Sequence, residues 1–267
     1  MNSSTLTIAD QYAQQGFYIA NEPIIPRDLV SSAEQGMERV RQGDYRTGQP
    51  PFESPWNPGD DDTKLCKIEM PNLADPDIRS CIAHPALGEL AARLTGASMI
   101  QVWWVQLLHK PSVDPEAKSG GGPAVGWHQD AQYWPEWIAD SELFTAWVAI
   151  SDVNTEAGPM AFVPGSHHAG LFEGGDFFSS DLVELRKNIR LPQGVAWDEV
   201  PAILQPGGVS FHHRHTLHGS GINTSGSPRK SFAVHLRTEK STLADHPRVL
   251  TQFIDDEEKC PVIYGRR

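Results

Sequence analysis

The chain predicts an α+β fold with a mainly β core, in which N-terminal helices buttress one side of a β-sandwich or jelly roll. Helix-like segments crowd the first hundred residues, short runs rich in β-branched and aromatic residues fill most of the remainder, and Gly/Pro turns separate those runs. The 267 residues fit one large domain, residues 1–267, because no linker-like break in composition divides them.

Taken in order, Thr7 to Gln15 has helical character, and Gly16 admits the chain to a short strand at Phe17 to Ala20. Pro26 stands where a first-turn proline is favoured, ahead of a helix running to about Arg41. From Gly43 to Asp62 the composition turns to Pro, Gly, Asn and Asp, which predicts a long irregular loop of the kind that often walls or lids a site. Lys64 to Met70 reads as a strand, and Pro85 to Leu94 as a helix stopped by Gly96. Six strands follow: Ile100 to Leu108, Phe144 to Val153, Met160 to Val163, Ala202 to Leu204, Gly208 to His218 and Lys230 to Leu236. Ser119 to Gly122 is glycine-rich but lacks the Lys-Ser/Thr ending of a phosphate loop, so it predicts a flexible connection. The segments Ser112 to Val125 and Gly170 to Glu199 read as further loops that supply pocket walls.

A net charge of −12, with Lys and Arg scattered, argues against a nucleic-acid or anionic-membrane partner. Three widely separated cysteines indicate neither a disulfide framework nor a Cys-rich zinc site. The N-terminus lacks a basic start followed by an apolar run, and no segment reaches the roughly 18 apolar residues of a membrane span. A soluble cytoplasmic protein acting on a small molecule is the expectation, with the oligomeric state left open.

Two neutral imidazoles and one carboxylate on one face of an octahedral Fe(II) keep three adjacent positions open for a bidentate co-substrate and O2. Such a site needs a close His/carboxylate pair and one distant His. His128 and Asp130 supply the pair, since residues two apart in extended chain point to the same side. The histidine-rich tract Phe211 to His218 supplies the distant ligand, with His218 at its end beside Gly219, Ser220 and Gly221. Alternation puts His212 and His218 on one face and His213 and His215 on the other, so the tract does not offer all four to one metal; His212, His213 and His215 read as sheet or loop residues. Arg229 opens the Lys230 to Leu236 strand, which can return antiparallel to the His218 strand and bring a guanidinium near the metal. Arginine grips a carboxylate at two points where lysine cannot. Taken singly, His128 and His218 read more often as hydrogen-bonded structural histidines, Arg229 as a solvated edge charge, and Tyr133, Trp134 and Trp137 as packing.

Three blocks change that balance. They are Gly126 to Pro135 (GWHQDAQYWP), leading to Ala146 and Trp147; Gly158 to His167 (GPMAFVPGSH); and Pro206 to Gly208 followed by Leu217 to Asn223 (LHGSGIN) and Pro228 to Lys230 (PRK). In order and spacing the chain resembles the phytanoyl-CoA dioxygenase family, a branch of the Fe(II)/2-oxoglutarate oxygenases. The resemblance implies a double-stranded β-helix. It also implies iron on His128, Asp130 and His218, and Arg229 on the distal carboxylate of 2-oxoglutarate with the Ser220 hydroxyl assisting. Trp147, Gln106 and Lys67 match family positions lining the co-substrate. Halogenating relatives carry a small residue where this chain has Asp130, which favours hydroxylation. The implied cofactors are Fe(II), 2-oxoglutarate and O2, with ascorbate as a stimulant. The rival expectations are a cupin-like metal enzyme that does not use 2-oxoglutarate, which needs no Arg229 clamp, and a catalytically silent ligand-binding protein, which needs no intact triad.

Overall fold

The structure is a computed structural model that describes residues 6–114, 122–191 and 194–267. Helix α1 (Ile8–Gln15) starts at a capping box in which Thr7 and Asp10 exchange side-chain to backbone hydrogen bonds. It ends at Gly16, where φ is 82° and an added Cβ would lie 2.3 Å from the His167 ring, so only glycine fits. Strand β1 (Phe17–Ile19) leads to α2 (Arg27–Gln42), for which Pro26 serves as N-cap. Strand β2 (Cys66–Glu69) precedes α3 (Pro76–Ile82) and α4 (Pro85–Thr95), the last closed by Gly96. The remaining elements are β3 (Ile100–Lys110), β4 (Val125–His128), β5 (Leu143–Ala149), β6 (Met160–Phe162), α5 (Leu182–Asn188), β7 (Val200–Pro201), β8 (Val209–His213), β9 (His218–Ser220), β10 (Arg229–Thr238) and β11 (Val262–Tyr264).

Two antiparallel sheets face each other. The larger runs β1-β8-β5-β10-β3-β11, with β2 added on β3, and the smaller runs β4-β9-β6-β7. Alternation gives the larger sheet two different faces. Phe144, Ala146 and Val148 of β5 and Phe232, Val234 and Leu236 of β10 point into a core shared with Met37 and Val40 of α2 and Leu87 and Leu90 of α4. Their neighbours Thr145, Trp147, Arg229, Ala233 and His235 point the other way and line a cavity that the smaller sheet also walls. Phe17, Trp147, Phe162 and Leu204 fill the rest of the space between the sheets. This is the jelly-roll arrangement that the sequence predicts.

Several expectations change. Gly208 to His218 is not one strand: β8 and β9 belong to different sheets, and residues 214–217 carry the chain across the gap. The crossing is held by Thr216, whose amide donates to His213 O (2.8 Å) and whose hydroxyl donates to Gly16 O (2.6 Å). Strand β10 pairs with β3 and β5, not with β9, so Arg229 reaches the metal strand from the opposite sheet. Val153 and Leu204 fall outside the strands and meet in an isolated bridge. Helices α3 and α5 were not predicted; each spans seven residues among polar and turn-forming neighbours, too short for a clear apolar period. The loop at 43–62 walls neither of the two cavities at the site: Phe52 bridges to Glu69 and packs its ring on Trp104 and Phe253. Most of the glycine-rich piece, residues 119–121, lies outside the described residues.

One buried carboxylate ties the C-terminal segment to the site. Glu136 is 4% exposed and accepts the amides of Val249 (2.9 Å), Leu250 (2.8 Å) and Thr251 (2.8 Å) as well as the Thr251 hydroxyl. Leu250 in turn walls a cavity beside the metal ligands. Burial raises the Glu136 carboxyl, but the hydrogen bonds from Thr251, Leu250 and Val249 outweigh it and hold it below the ordinary glutamate value. A carboxyl depressed in the folded state adds stability above its unfolded pKa and loses it as pH falls through the folded one. Glu136→Gln should therefore cost about 3 kcal/mol at pH 7, since it leaves buried donors facing an amide. Urea denaturation should show this gap to wild type closing in acid, and a pH-independent gap would contradict the charge-based account.

Candidate metal centre

The two imidazoles are built alike. His128 closes β4 and His218 opens β9, and the strands pair so that these residues are partners in register. Each ring places Nδ1 against the backbone carbonyl two residues earlier: His128 on Gly126 O at 2.8 Å and His218 on Thr216 O at 2.9 Å. A carbonyl only accepts, so Nδ1 carries the proton in both rings and the Nε2 lone pairs face inward. Gly126 is needed for a second reason. A Cβ there would lie 2.0 Å from Asp176 O, and the close approach seats Phe177 against the His128 ring, 5.0 Å between centroids.

Asp130 Oδ1 lies 3.8 Å from His128 Nε2 and 3.7 Å from His218 Nε2. One ligand atom from each of the three residues falls within 4.8 Å of the others, all buried, the spacing of a group able to hold one metal ion. The second oxygen is occupied by the protein: Oδ2 accepts from the Thr145 hydroxyl (2.6 Å) and from His212 Nε2 (3.1 Å). Because the hydroxyl donates to Asp130, the proton in its 2.8 Å contact with His235 Nδ1 comes from the imidazole. Burial pushes His128 and His218 below the ordinary imidazole value and keeps both neutral. Burial also acts against charge on Asp130, but the His212 hydrogen bond and the surrounding imidazoles hold its carboxyl well below the usual range. Two neutral nitrogens and one carboxylate oxygen form the donor set that suits Fe(II) with open positions.

Beside the triad, an inner cavity is lined by Gln106, Trp147, Ser220 and Arg229. Arg229 is 2% exposed, donates through Nη1 to Gly158 O, stacks its guanidinium 5.2 Å from the Trp147 ring centroid and leaves Nε without a hydrogen-bond partner. Facing it across the sheet pairing is Lys110, wholly buried, which donates to Ser220 Oγ (2.5 Å), Gly221 O (2.7 Å) and Ser220 O (3.2 Å). Among the described residues no carboxylate forms an ion pair with either cation. Burial lowers Arg229 to about 10, and burial together with the Arg229 charge lowers Lys110 well below its usual range. A buried guanidinium without a counter-ion makes this cavity a receptor for an anion, with Lys110 packed behind its Ser220 wall.

An outer cavity shares His128, Asp130, Gln106, Phe177 and His235 with the inner one and adds Lys67 and Glu69. Of the eight residues singled out in the sequence, seven line the inner cavity, while Lys67 lines only the outer. Trp134 and Trp137 pack on Trp103, with centroids 5.0 and 5.4 Å away; Trp134 also walls the outer cavity, as does Tyr133, whose hydroxyl accepts the Phe177 amide (3.0 Å). Sequence reasoning missed Thr145, His235 and Lys110, and placed His212 in the sheet without seeing its contact to Asp130. Even spacing held the signal: Thr145 is two residues before Trp147, His235 six after Arg229, and Lys110 four after Gln106.

The family model for phytanoyl-CoA dioxygenase (PhyH) matches residues 12–231. A "Probable alpha-ketoglutarate-dependent hypophosphite dioxygenase" of Stutzerimonas stutzeri is 25% identical over 174 residues, which cover 64% of this chain and 57% of that protein. The L-proline trans-4-hydroxylase of Streptomyces griseoviridis is 28% identical over 195 residues, covering 67% of this chain and 69% of the relative. Among solved structures, the non-haem alpha-ketoglutarate-dependent carbocyclase SnoK from nogalamycin biosynthesis superposes with a TM-score of 0.69 at 24% identity, over 97% of this chain and 96% of that one.

Hydrogen-bond partners of metal ligands typically set affinity by about ten- to a hundredfold. Thr145→Val removes the 2.6 Å bond to Asp130 Oδ2 at nearly constant volume, so Co(II) affinity measured by calorimetry should fall by about that factor. His218→Ala should abolish the binding. Equal isotherms for wild type and Thr145→Val would show that the hydroxyl does not orient the carboxylate.

Proposed function

This chain belongs to the phytanoyl-CoA dioxygenase family, and from that membership and the geometry of its site we propose that it is an Fe(II)- and 2-oxoglutarate-dependent oxygenase. It hydroxylates an unactivated C–H bond of a small metabolite and releases succinate and CO2. The observation that carries the reading is the juxtaposition, in one cavity, of a His-Asp-His triad with the buried Arg229 guanidinium, which has no acidic partner among the described residues. A metal enzyme with no anionic co-substrate has no use for that cation.

His128, Asp130 and His218 hold the iron. Bound iron, with 2-oxoglutarate and O2, supplies the oxidising chemistry. The protein's part is orientation and exclusion of water. Arg229 grips the distal carboxylate of 2-oxoglutarate, and Trp147 under the guanidinium and the Gly158 carbonyl fix its plane. Ser220 Oγ accepts a hydrogen bond from Lys110 Nζ and so turns its own O–H outward, free to donate to the same carboxylate. Gln106 walls the co-substrate, and Lys67 stands on the substrate side of the metal. Residues 1–267 act as one oxygenase domain. The three cysteines are free buried thiols, in keeping with the reducing compartment, the cytoplasm, read from the sequence. No helix among the described residues is long and apolar enough to cross a membrane.

Succinate should form on addition of Fe(II), ascorbate and 2-oxoglutarate. Arg229→Lys keeps the charge but loses the planar fork, and a charged hydrogen bond contributes ~1.5–3 kcal/mol, so half-saturation for 2-oxoglutarate should rise about ten- to a hundredfold. High 2-oxoglutarate should restore part of the rate in Arg229→Lys and none in His218→Ala. Superimposable titrations of wild type, Arg229→Lys and Arg229→Ala would remove the co-substrate role from Arg229.

A further inference from the structure

We propose that the primary substrate is a small zwitterion, and that Lys67 and Glu69 read its carboxylate and its amine at the outer cavity; this rests on the oxygenase reading above. Strand β2 alternates, so that Cys66 and Ile68 enter the core while Lys67 and Glu69 turn together to the cavity. Their side chains are only 15% and 13% exposed and pair at 3.0 Å. Glu69 Oε2 is also fixed by Trp104 Nε1 at 2.6 Å, and the Lys67 ammonium lies over the rings of Phe177 and Phe178, 4.7 and 5.7 Å from their centroids. An ion pair so shielded from water adds little net stability, because desolvation offsets the attraction. Nor does β2 depend on it, since four backbone register pairs already bind that strand to β3.

The cavity's charge balance selects the ligand. An apolar substrate would cut both ions off from their remaining water and return no contact. A simple carboxylate would gain Lys67 but meet Glu69, and a simple amine would meet the reverse conflict. A zwitterion converts one ion pair into a head-to-tail ring of four charges, with the Lys67 ammonium kept over the Phe177 and Phe178 rings. The carbon skeleton then spans the space between β2 and the shared wall of His128, Asp130 and His235. Lys67 thereby serves the substrate and not the co-substrate.

The test uses a panel of α-, β- and cyclic amino acids, each with its N-acetyl and methyl ester forms, alongside simple carboxylates, amines and acyl thioesters. Succinate release above the substrate-free rate and mass analysis for one added oxygen report turnover. Ligand-observed NMR on the protein without added iron reports binding separately. Zwitterions should bind and stimulate, and blocking either charge should weaken them tenfold or more. Lys67→Met should abolish discrimination against the ester, and Glu69→Gln discrimination against the N-acetyl form. Amino acids that neither bind nor stimulate, blocked forms that match them, or stimulation by thioesters alone would each overturn the proposal. Absence of succinate under every condition would instead count against the oxygenase reading, and the NMR ranking would still decide the substrate class.

Discussion

Asp130 carries a negative charge between two sheets, and much of the site follows from the need to stabilise it there. A carboxylate out of water survives as an anion only with charge or hydrogen bonds supplied to it. Oδ2 receives Thr145 and His212, and His235 completes the chain behind Thr145. That leaves Oδ1 as the oxygen turned toward the two imidazoles. His212, Thr145 and His235 come from β8, β5 and β10, adjacent strands of the larger sheet, while His128 and His218 come from the smaller one. The metal site is thus a seam between the sheets, and neither sheet contains it alone.

The seam explains what the sequence discloses. The triad and Arg229 stand in dense local blocks, where glycines and prolines mark the turns that present them. The larger sheet's inner face has no such local signature, because its polar members are spread one or two per strand. Thr145 and His235 become visible only when each strand is read from a known site residue in steps of two. The β8–β9 break was hidden for a related reason: His212 and His218 do come together beside Asp130, 4.3 Å between ring centroids, as alternation suggested, but by facing each other from two sheets. Even-numbered spacing gave the right side for the wrong geometry. Arg229 shows the same pattern, since its nearness to His218 comes from the gap between sheets and not from strand pairing.

Charge divides the two cavities. The inner one is lined by the metal-site carboxylate and by Arg229, which has a ring and a carbonyl but no acid paired with it among the described residues, while Lys110 stands behind Ser220 with an oxygen for every proton. The outer one shares that carboxylate and adds one cation and one anion of its own, already paired with each other. The dianionic co-substrate proposed above therefore suits the inner cavity and the proposed zwitterion the outer. On that reading the two ligands are sorted by electrostatics before shape is considered.

The same division bears on the outcome of the reaction. The triad offers three protein atoms, because Thr145 and His212 keep the second Asp130 oxygen engaged, and this ligand set does not itself distinguish hydroxylation from desaturation or ring closure. The choice depends on which carbon the outer cavity holds toward the metal and on how firmly it is held. Firmness comes from β2, an edge strand fixed to β3 by backbone pairing, and from Phe177, whose position depends on the glycine at 126. Neither element touches the metal, yet both set the angle at which a bound molecule meets it. A change of product within this architecture is then more readily reached through the walls, Lys67, Glu69, Tyr133 and Phe177, than through the ligands, whose loss removes the chemistry altogether.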